Sequence, residues 1–371
     1  MAIEHGFTPT ILSLLAGEYG EDHAASLLDT SELLGYLNEK TKSASKGSKS
    51  RGSFASLYAV YVLVEDYIAK GFDTSGQYSD YDGAKFSDLF ARQRELPFGS
   101  KLQNHALNHR MNQEFRKLFP TCQSVPILRD TATKRYWINE NLLNIKLGKQ
   151  PFNISKAVIE IIDAYIAAKR RAFEGFIANC EQIQKLSKKN PDEAKAFIAS
   201  LLKPNVDARV FEITSFAVLK EHYGQESIFW GWTRDELEQE FLMLYKTGRC
   251  NANDGGIDFV MRPLGRFFQV TETTDVKKYF LDIDKVQRYP VTFVVKSELS
   301  EKQIRKKIRE QAHNVYSVKS VVKRYMDCVE EIINIPMLLE RFESLADANR
   351  LSPVIDELIR QSRVEFNYDE S

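Results

Sequence analysis

Cysteine is scarce in this 371-residue chain: Cys122, Cys180, Cys250 and Cys328 are the four, each far from the next. No CxxC pair and no Cys/His spacing of a zinc site occurs, so neither a disulfide framework nor structural zinc is expected, and the usage suits a reducing compartment. Net charge is missing as well. Its 51 lysines and arginines cancel 51 aspartates and glutamates, so overall charge gives no sign of a nucleic-acid partner, and any basic surface has to arise by local segregation. No run reaches the ~20 apolar residues of a membrane span. The opening residues, MAIEHGFTPTILSLLAGEYGE, carry an acid at position 4 and only a short apolar stretch, unlike a secretory signal. A cytoplasmic protein with no membrane partner is the expectation. P-loop, dinucleotide-binding and nucleophile-triad motifs are also lacking.

What is present is a folding composition, 43% hydrophobic and 27% charged, long enough for two or three domains. Residues 8–40 read as two short amphipathic helices punctuated by Gly17, Gly20 and Gly35. The run KTKSASKGSKSRGS, Lys40 to Ser53, holds five cations and no acid. It suits either a loop lying along phosphates through Lys46, Lys49 and Arg51 or a plain solvated linker. FASLYAVYVLVEDYIAKGF follows as a buried helix. Residues 86–119 read as two helices broken at ELPFGS. The second places Leu102, Leu107, Met111 and Phe115 near one face. Asn104, Asn108, Arg110, Asn112, Gln113 and Arg116 lie on the other. VPILRD and KRYWIN then form a strand pair bearing Lys134 and Arg135. Helix, helix and basic hairpin trace the outline of a winged helix. Asparagine, glutamine and arginine can pair with adenine and guanine edges, which makes Asn108, Arg110, Asn112 and Arg116 candidate base readers. An ordinary polar helix face beside a surface hairpin is the other reading.

From Asp207 the pattern changes. DARVFEITSFAVLKEHYG predicts an amphipathic helix, SIFWGW a short strand, and TRDELEQEFLMLYKTGR a second helix opened by a Thr233/Glu236 capping box. NANDGGIDFVMRP turns through glycines into a strand, PLG closes a hairpin, and RFFQVTET is the partner strand. DVKKYFLDIDKVQRY reads as helix, VTFVVK as a third strand, and everything from Glu301 as helical. Alternation along RFFQVTET puts Phe267, Gln269, Thr271 and Thr273 on one face and buries Phe268 and Val270. Asp258 and Gln269 then converge across the hairpin, and Glu212 approaches them if its helix packs on the sheet. Clustered carboxylate and amide oxygens suit a magnesium ion, which neutralises the charge that builds during phosphodiester hydrolysis. Taken singly, Asp258 is more often a turn or strand-edge acid. Asp254 reads as a turn former, Glu240 as solvated, and the His105/His109 pair as polar surface or a DNA contact.

FE within RVFEITSFAVLKEHYG, then DGGID, then FQVT together resemble the PD-(D/E)XK nuclease superfamily. The likeness is to its Mrr-like branch, which has a helix glutamate, a GDGGID-type strand entry and a QxK strand. The resemblance implies an α/β core, α+β for the chain as a whole, with a mixed central sheet flanked by helices. In it Glu212 is the helix acid, Asp258 the metal-binding aspartate and Gln269 the second-strand ligand. Thr271 stands where the superfamily has lysine. Either Lys246, Lys277 or Lys296 supplies the cation, or the enzyme does without it, or the site is inactive. The resemblance also implies Mg2+, a double-stranded DNA substrate, a homodimer, and a cognate DNA methyltransferase protecting host DNA. Residues 1–150 are then the DNA-recognition domain, 151–203 a helical connector, and 204–371 the nuclease domain with a helical extension. With no ATPase motif beside the core, a type II restriction endonuclease is the expected function. A repair or junction-resolving nuclease and a non-catalytic DNA-binding protein with a degenerate nuclease fold are the alternatives.

Overall fold

A computed structural model describes residues 4–42, 44, 50–100, 102–187, 189–247 and 257–366. The chain is α+β and forms two compact units, Met1–Gly175 and Phe176–Ser371. The division falls inside the segment read from sequence as a connector. No helix among the described residues is long and apolar enough to cross a membrane.

The first unit opens with three helices where two were expected: α1 (Thr8–Tyr19), α2 (Glu21–Thr30) and α3 (Glu32–Thr41). Gly20 separates the first pair at φ 91°, a left-handed value that glycine adopts without strain. Ser31 separates the second pair, its hydroxyl accepting the Leu34 N–H at 3.2 Å. Next come α4 (Ser50–Ala69), β1 (Ala84–Lys85) and α5 (Phe86–Glu95). A π-helical turn at Ala106–Arg110 runs into α6 (Met111–Leu118). The strands β2 (Ile127–Asp130) and β3 (Arg135–Ile138) form the expected hairpin, and β1 adds to it beside β3. A second hairpin, β4 (Asn144–Leu147) with β5 (Gln150–Asn153), was not anticipated. Leu57, Tyr58, Leu107, Met111, Phe115 and Ile138 belong to one continuous core.

The long α7 (Ser155–Leu186) contains Gly175, where the units divide. In the second unit α8 (Pro191–Ser200) precedes α9 (Ala208–Tyr223). The segment read as a helix from Thr233 is instead two strands. Here β6 (Ser227–Trp230) pairs with β7 (Glu238–Phe241), and β8 (Met243–Lys246) joins the main sheet. The apolar residues explain the change: Leu242 and Leu244 are buried while Met243 and Tyr245 are exposed, a period of two rather than 3.6. Thr233 makes no side-chain cap.

The main sheet continues with β9 (Phe259–Arg262), β10 (Arg266–Thr271), β11 (Val291–Val295) and β12 (Val329–Ile333), and α10 (Val276–Lys285) crosses from β10 to β11. The order is β12-β11-β10-β9-β8. Strands β10, β11 and β12 run parallel, and β9 is antiparallel to both its neighbours. Sequence reading had missed β12. All five residues of β11 are buried, as a strand covered on both faces requires. Helices α11 (Glu301–Val315), α12 (Lys319–Asp327), α13 (Ile335–Asp347) and α14 (Leu351–Phe366) complete the unit.

Two cores flank the sheet. On one face Phe211, Phe216 and Leu219 of α9 pack on Phe259, Phe268 and Val294. Truncating such a phenylalanine to alanine costs ~3–5 kcal/mol, so the seat of α9 is firmly held. On the other face Tyr279 and Phe280 of α10, Ile304 and Ile308 of α11, and Val322 of α12 pack on Val291, Phe293 and Val295.

Candidate functional site

The N-terminal part of α9 carries two charged side chains, Arg209 and Glu212. Asp207 caps the helix by accepting the N–H groups of Arg209 and Val210 at 2.9 and 3.3 Å. Arg209, three residues before Glu212, lays Nη1 2.6 Å from its Oε1. Lys246, the last residue of β8, brings Nζ to 3.0 Å from the same oxygen. Side-chain exposure is only 12% for Glu212 and 17% for Lys246, so this charge cluster is largely withdrawn from water.

Asp258 stands beside it at the entry to β9. Its N–H donates to the Phe268 carbonyl and its carbonyl accepts the Thr247 N–H, both at 3.0 Å. Its carboxylate Oδ2 accepts the Val270 N–H at 2.7 Å. The side chain thus caps a backbone donor of β10 just past the last paired residue of β9. Burial, then repulsion from Glu212, pushes the Asp258 carboxyl up to about 7, against the pull of Val270 N–H, Arg209 and Lys246. Asp258 and Glu212 are both hard-oxygen donors, and magnesium asks for one or two carboxylates with water completing its shell. Asp258 and Glu212 are the carboxylates that would hold such an ion. No group of three or more His, Cys, Asp or Glu able to hold a metal occurs among the described residues. Asp254, in the glycine turn, lies outside them.

Three residues assigned from sequence sit elsewhere. Gln269 pairs in register with Phe293, on the face covered by α10, whereas Phe268 and Val270 face α9. Its Nε2 donates to the Val270 carbonyl at 3.3 Å. Its buried Oε1 has no partner among the described residues. Thr271 shares that face and accepts from Lys278 Nζ at 3.2 Å. Lys277 is exposed at the start of α10. The side chains of β10 alternate between faces as expected, but Gln269 and Thr271 are buried along with Phe268 while Val270 is only half-buried. Because α9 covers the Phe268 face, the partners of Glu212 come from β8 and the entry to β9. Of the candidate lysines, Lys246 reaches the carboxylates. Lys296 instead pairs with Glu272 at 2.5 Å. Sequence reading assigned Arg209 no role. Its i, i+3 spacing to Glu212 was the available signal.

In the first unit, Asn112 is a structural residue. Its Nδ2 donates to the Ile127 carbonyl at 2.7 Å and its Oδ1 accepts the Ile127 N–H at 3.0 Å. Both amide ends are used to hold β2 on α6, leaving little for a base edge. Asn108 accepts the Tyr136 hydroxyl at 3.0 Å, and Arg135 donates to the Gly83 carbonyl at 3.0 Å. Arg110 lies 3.1 Å from Glu114 but stays exposed. Arg116 and Lys134 are exposed, as are His109, Gln113 and Lys117 on the same helical stretch. Lys46 and Lys49 lie outside the described residues, as does the Arg51 side chain in the first turn of α4.

Compared with known proteins, the chain matches no family model, no curated protein and no solved structure.

Proposed function

We propose that this chain is a magnesium-dependent endonuclease that hydrolyses phosphodiester bonds in double-stranded DNA at a short specific site, in the manner of a type II restriction enzyme with a PD-(D/E)XK core. The observation that carries the reading is the cluster of Glu212, Asp258 and Lys246 at one end of a mixed sheet, where α9, β8 and β9 each contribute one side chain. A helix acid and a strand-entry aspartate beside a helix-flanked mixed sheet are what the sequence resemblance implies. Lys246 supplies from β8 the cation that Thr271 cannot.

Magnesium, when bound, supplies positive charge against the anionic transition state and acidifies water. The residues of the chain do the rest. Asp258 and Glu212 would hold the ion. Arg209 fixes the Glu212 rotamer. Lys246 lies beside Glu212, placed to meet a phosphate oxygen and steady it as water, giving its proton to solvent, attacks phosphorus and the deoxyribose oxygen leaves and is protonated by solvent. In the first unit, β1 precedes α5 and pairs with β3 of the hairpin that follows α6, an order that supports a winged-helix reader whose exposed Arg110 and Arg116 face the bases. A homodimer, one site per strand, and a protecting methyltransferase follow from the same reading.

The test is digestion of plasmid DNA in magnesium, with the ends sequenced. Discrete fragments that vanish with Asp258→Ala, while duplex binding in calcium persists, support the reading. A variant that cuts as fast as the parent removes the site assignment, and nicking confined to branched DNA moves the chain to the repair nucleases. A second reading, a DNA-binding protein with a degenerate nuclease fold, is favoured by Thr271 and by the turn of Gln269 away from α9. It requires a salt-sensitive DNA shift and no cleavage in magnesium or manganese.

A further inference from the structure

The charge balance of the whole chain conceals a strong local imbalance in the second unit. Residues 301–327 carry eight lysines and arginines against three acids. They form α11 and α12, which pack side by side on the face of the sheet opposite α9. Ile304, Ile308 and Ala312 fix the buried side of α11, and Val322, Tyr325 and Met326 that of α12. The cations lie on the remaining sides. Lys302, Lys306, Lys307, Arg309, Lys319, Lys323 and Arg324 are all exposed. Only Lys306 of these makes an ion pair among the described residues, a loose one of 3.8 Å to Glu310. Arg305 is the exception that shows the difference. It donates to the Val329 and Glu330 carbonyls at 3.0 and 3.1 Å and belongs to the fold.

Along α11 the positions Lys302, Lys306 and Arg309 recur at helical spacing, so they line one side over about 10 Å, with Glu310 beside Lys306. Cations left without acids repel one another, and beyond the Glu310 contact to Lys306 no ion pair among the described residues offsets that repulsion. A polyanion would. Duplex DNA presents one negative charge per ~1.7 Å of axis, so a row of this length meets several phosphates at once.

We propose that the exposed face of α11 and α12 is a nucleic-acid surface that grips the phosphate backbone of duplex DNA without reading its sequence. The inference deepens the nuclease reading and rests on it for the choice of DNA as the polyanion. An anionic bilayer fits less well. Helices that lie in a membrane interface bury Trp, Phe or Leu, whereas the exposed large apolar residues of 301–327 are valines only, Val315, Val318 and Val321.

The experiment compares the full chain with a variant carrying Lys302→Ala, Arg309→Ala and Lys323→Ala, and with the matching triple glutamine variant. Binding to a short labelled duplex of arbitrary sequence is followed by anisotropy in EDTA over a range of salt. Both variants are expected to melt at the parent temperature, because the side chains are exposed. The slope of log affinity against log salt should shrink by about 0.9 per lost phosphate contact, hence by about 2.7 for three contacts. The loss of affinity should be similar for every sequence. An unchanged slope in either folded variant overturns the proposal. So does binding of phosphatidylserine vesicles that both variants lose while their DNA binding stays intact. Asp258→Ala separates the two readings. It should bind DNA like the parent, so continued cleavage by it removes the nuclease assignment while leaving this surface standing. Loss of cleavage in Asp258→Ala with unchanged salt slopes in the triple variants removes the surface alone.

Discussion

Replacing Asp258 by asparagine isolates the feature on which the metal assignment depends. The folded Asp258 carboxyl sits at about 7 because burial and the facing Glu212 oppose its ionisation, whereas an unstructured aspartate ionises near ~3.9. As pH rises from about 4 to about 7 the unfolded chain gives up this proton and the folded chain keeps it. Folding stability therefore falls across that window and levels off above it. At 1.36 kcal/mol per pH unit the gap amounts to a loss on the order of 4 kcal/mol, most of it from burial of the carboxyl. Asparagine keeps an oxygen for the Val270 N–H but has no proton to lose. The difference between parent and Asp258→Asn should therefore narrow at low pH and favour the variant at pH 8. A divalent ion competes with that proton. Calcium or magnesium should raise the parent melting temperature at pH 8, do little at pH 5, and leave the variant unmoved. At a hundredfold excess over its dissociation constant the ion adds ~2.7 kcal/mol. Differential scanning calorimetry of both proteins, with EDTA or calcium at several pH values, measures all of this without reference to catalysis. A parent whose stability relative to the variant rises between pH 4 and 7, or a variant with the same calcium shift as the parent, would refute the reasoning.

Lys246→Met should slow DNA cleavage by roughly 10²–10³-fold, the usual cost of removing a charge-stabilising group, with duplex binding in calcium unchanged; equal rates would return the catalytic cation to another lysine. Asn112→Ala should destabilise the first unit by ~1–3 kcal/mol, because the Ile127 N–H and carbonyl lose their partner, and chemical denaturation reads this directly. Arg116→Ala should leave stability alone and cost ~1–3 kcal/mol of binding at one base pair, seen by competition with single-base variants of the site; equal weakening across all sequences would make it a phosphate contact. Glu357→Gln should destabilise the second unit. Burial works against the Glu357 charge, but hydrogen bonds from Arg360, Lys220 and Gln361 outweigh it and hold its carboxyl below the usual range. Its contribution is present at neutral pH and lost in acid, so parent and variant should converge in melting temperature as pH falls below 4.

How far the sequence could be read depended on whether a residue's environment is set locally. Alternation along RFFQVTET is local, and it correctly separated Phe268 and Val270 from Phe267, Gln269 and Thr271. Which of those faces receives α9 is not local. It follows from the packing of Phe211, Phe216 and Leu219 on Phe259 and Phe268, and that packing left Gln269 out of the carboxylate cluster. Residues 233–249 failed for a different reason. Helix-forming Leu, Glu and Gln with a plausible cap outweighed the short Leu242/Leu244 alternation, and the misreading placed Lys246 on a helix, apart from the strand that carries it to Glu212. The two errors are linked physically. Once β8 is a strand beside β9, Lys246 is paired near Phe259, next to Asp258, and a lysine on β10 is no longer needed to bring positive charge to the carboxylates. The same reasoning sets a sharper demand on the site than the QxK pattern did. Thr271→Lys, which restores that pattern in sequence, should not rescue cleavage in Lys246→Met, because position 271 looks toward α10 and Lys278. Rescue to a rate near the parent's would mean that β10 presents its other face to the substrate, and that Lys246 is only the partner of Glu212.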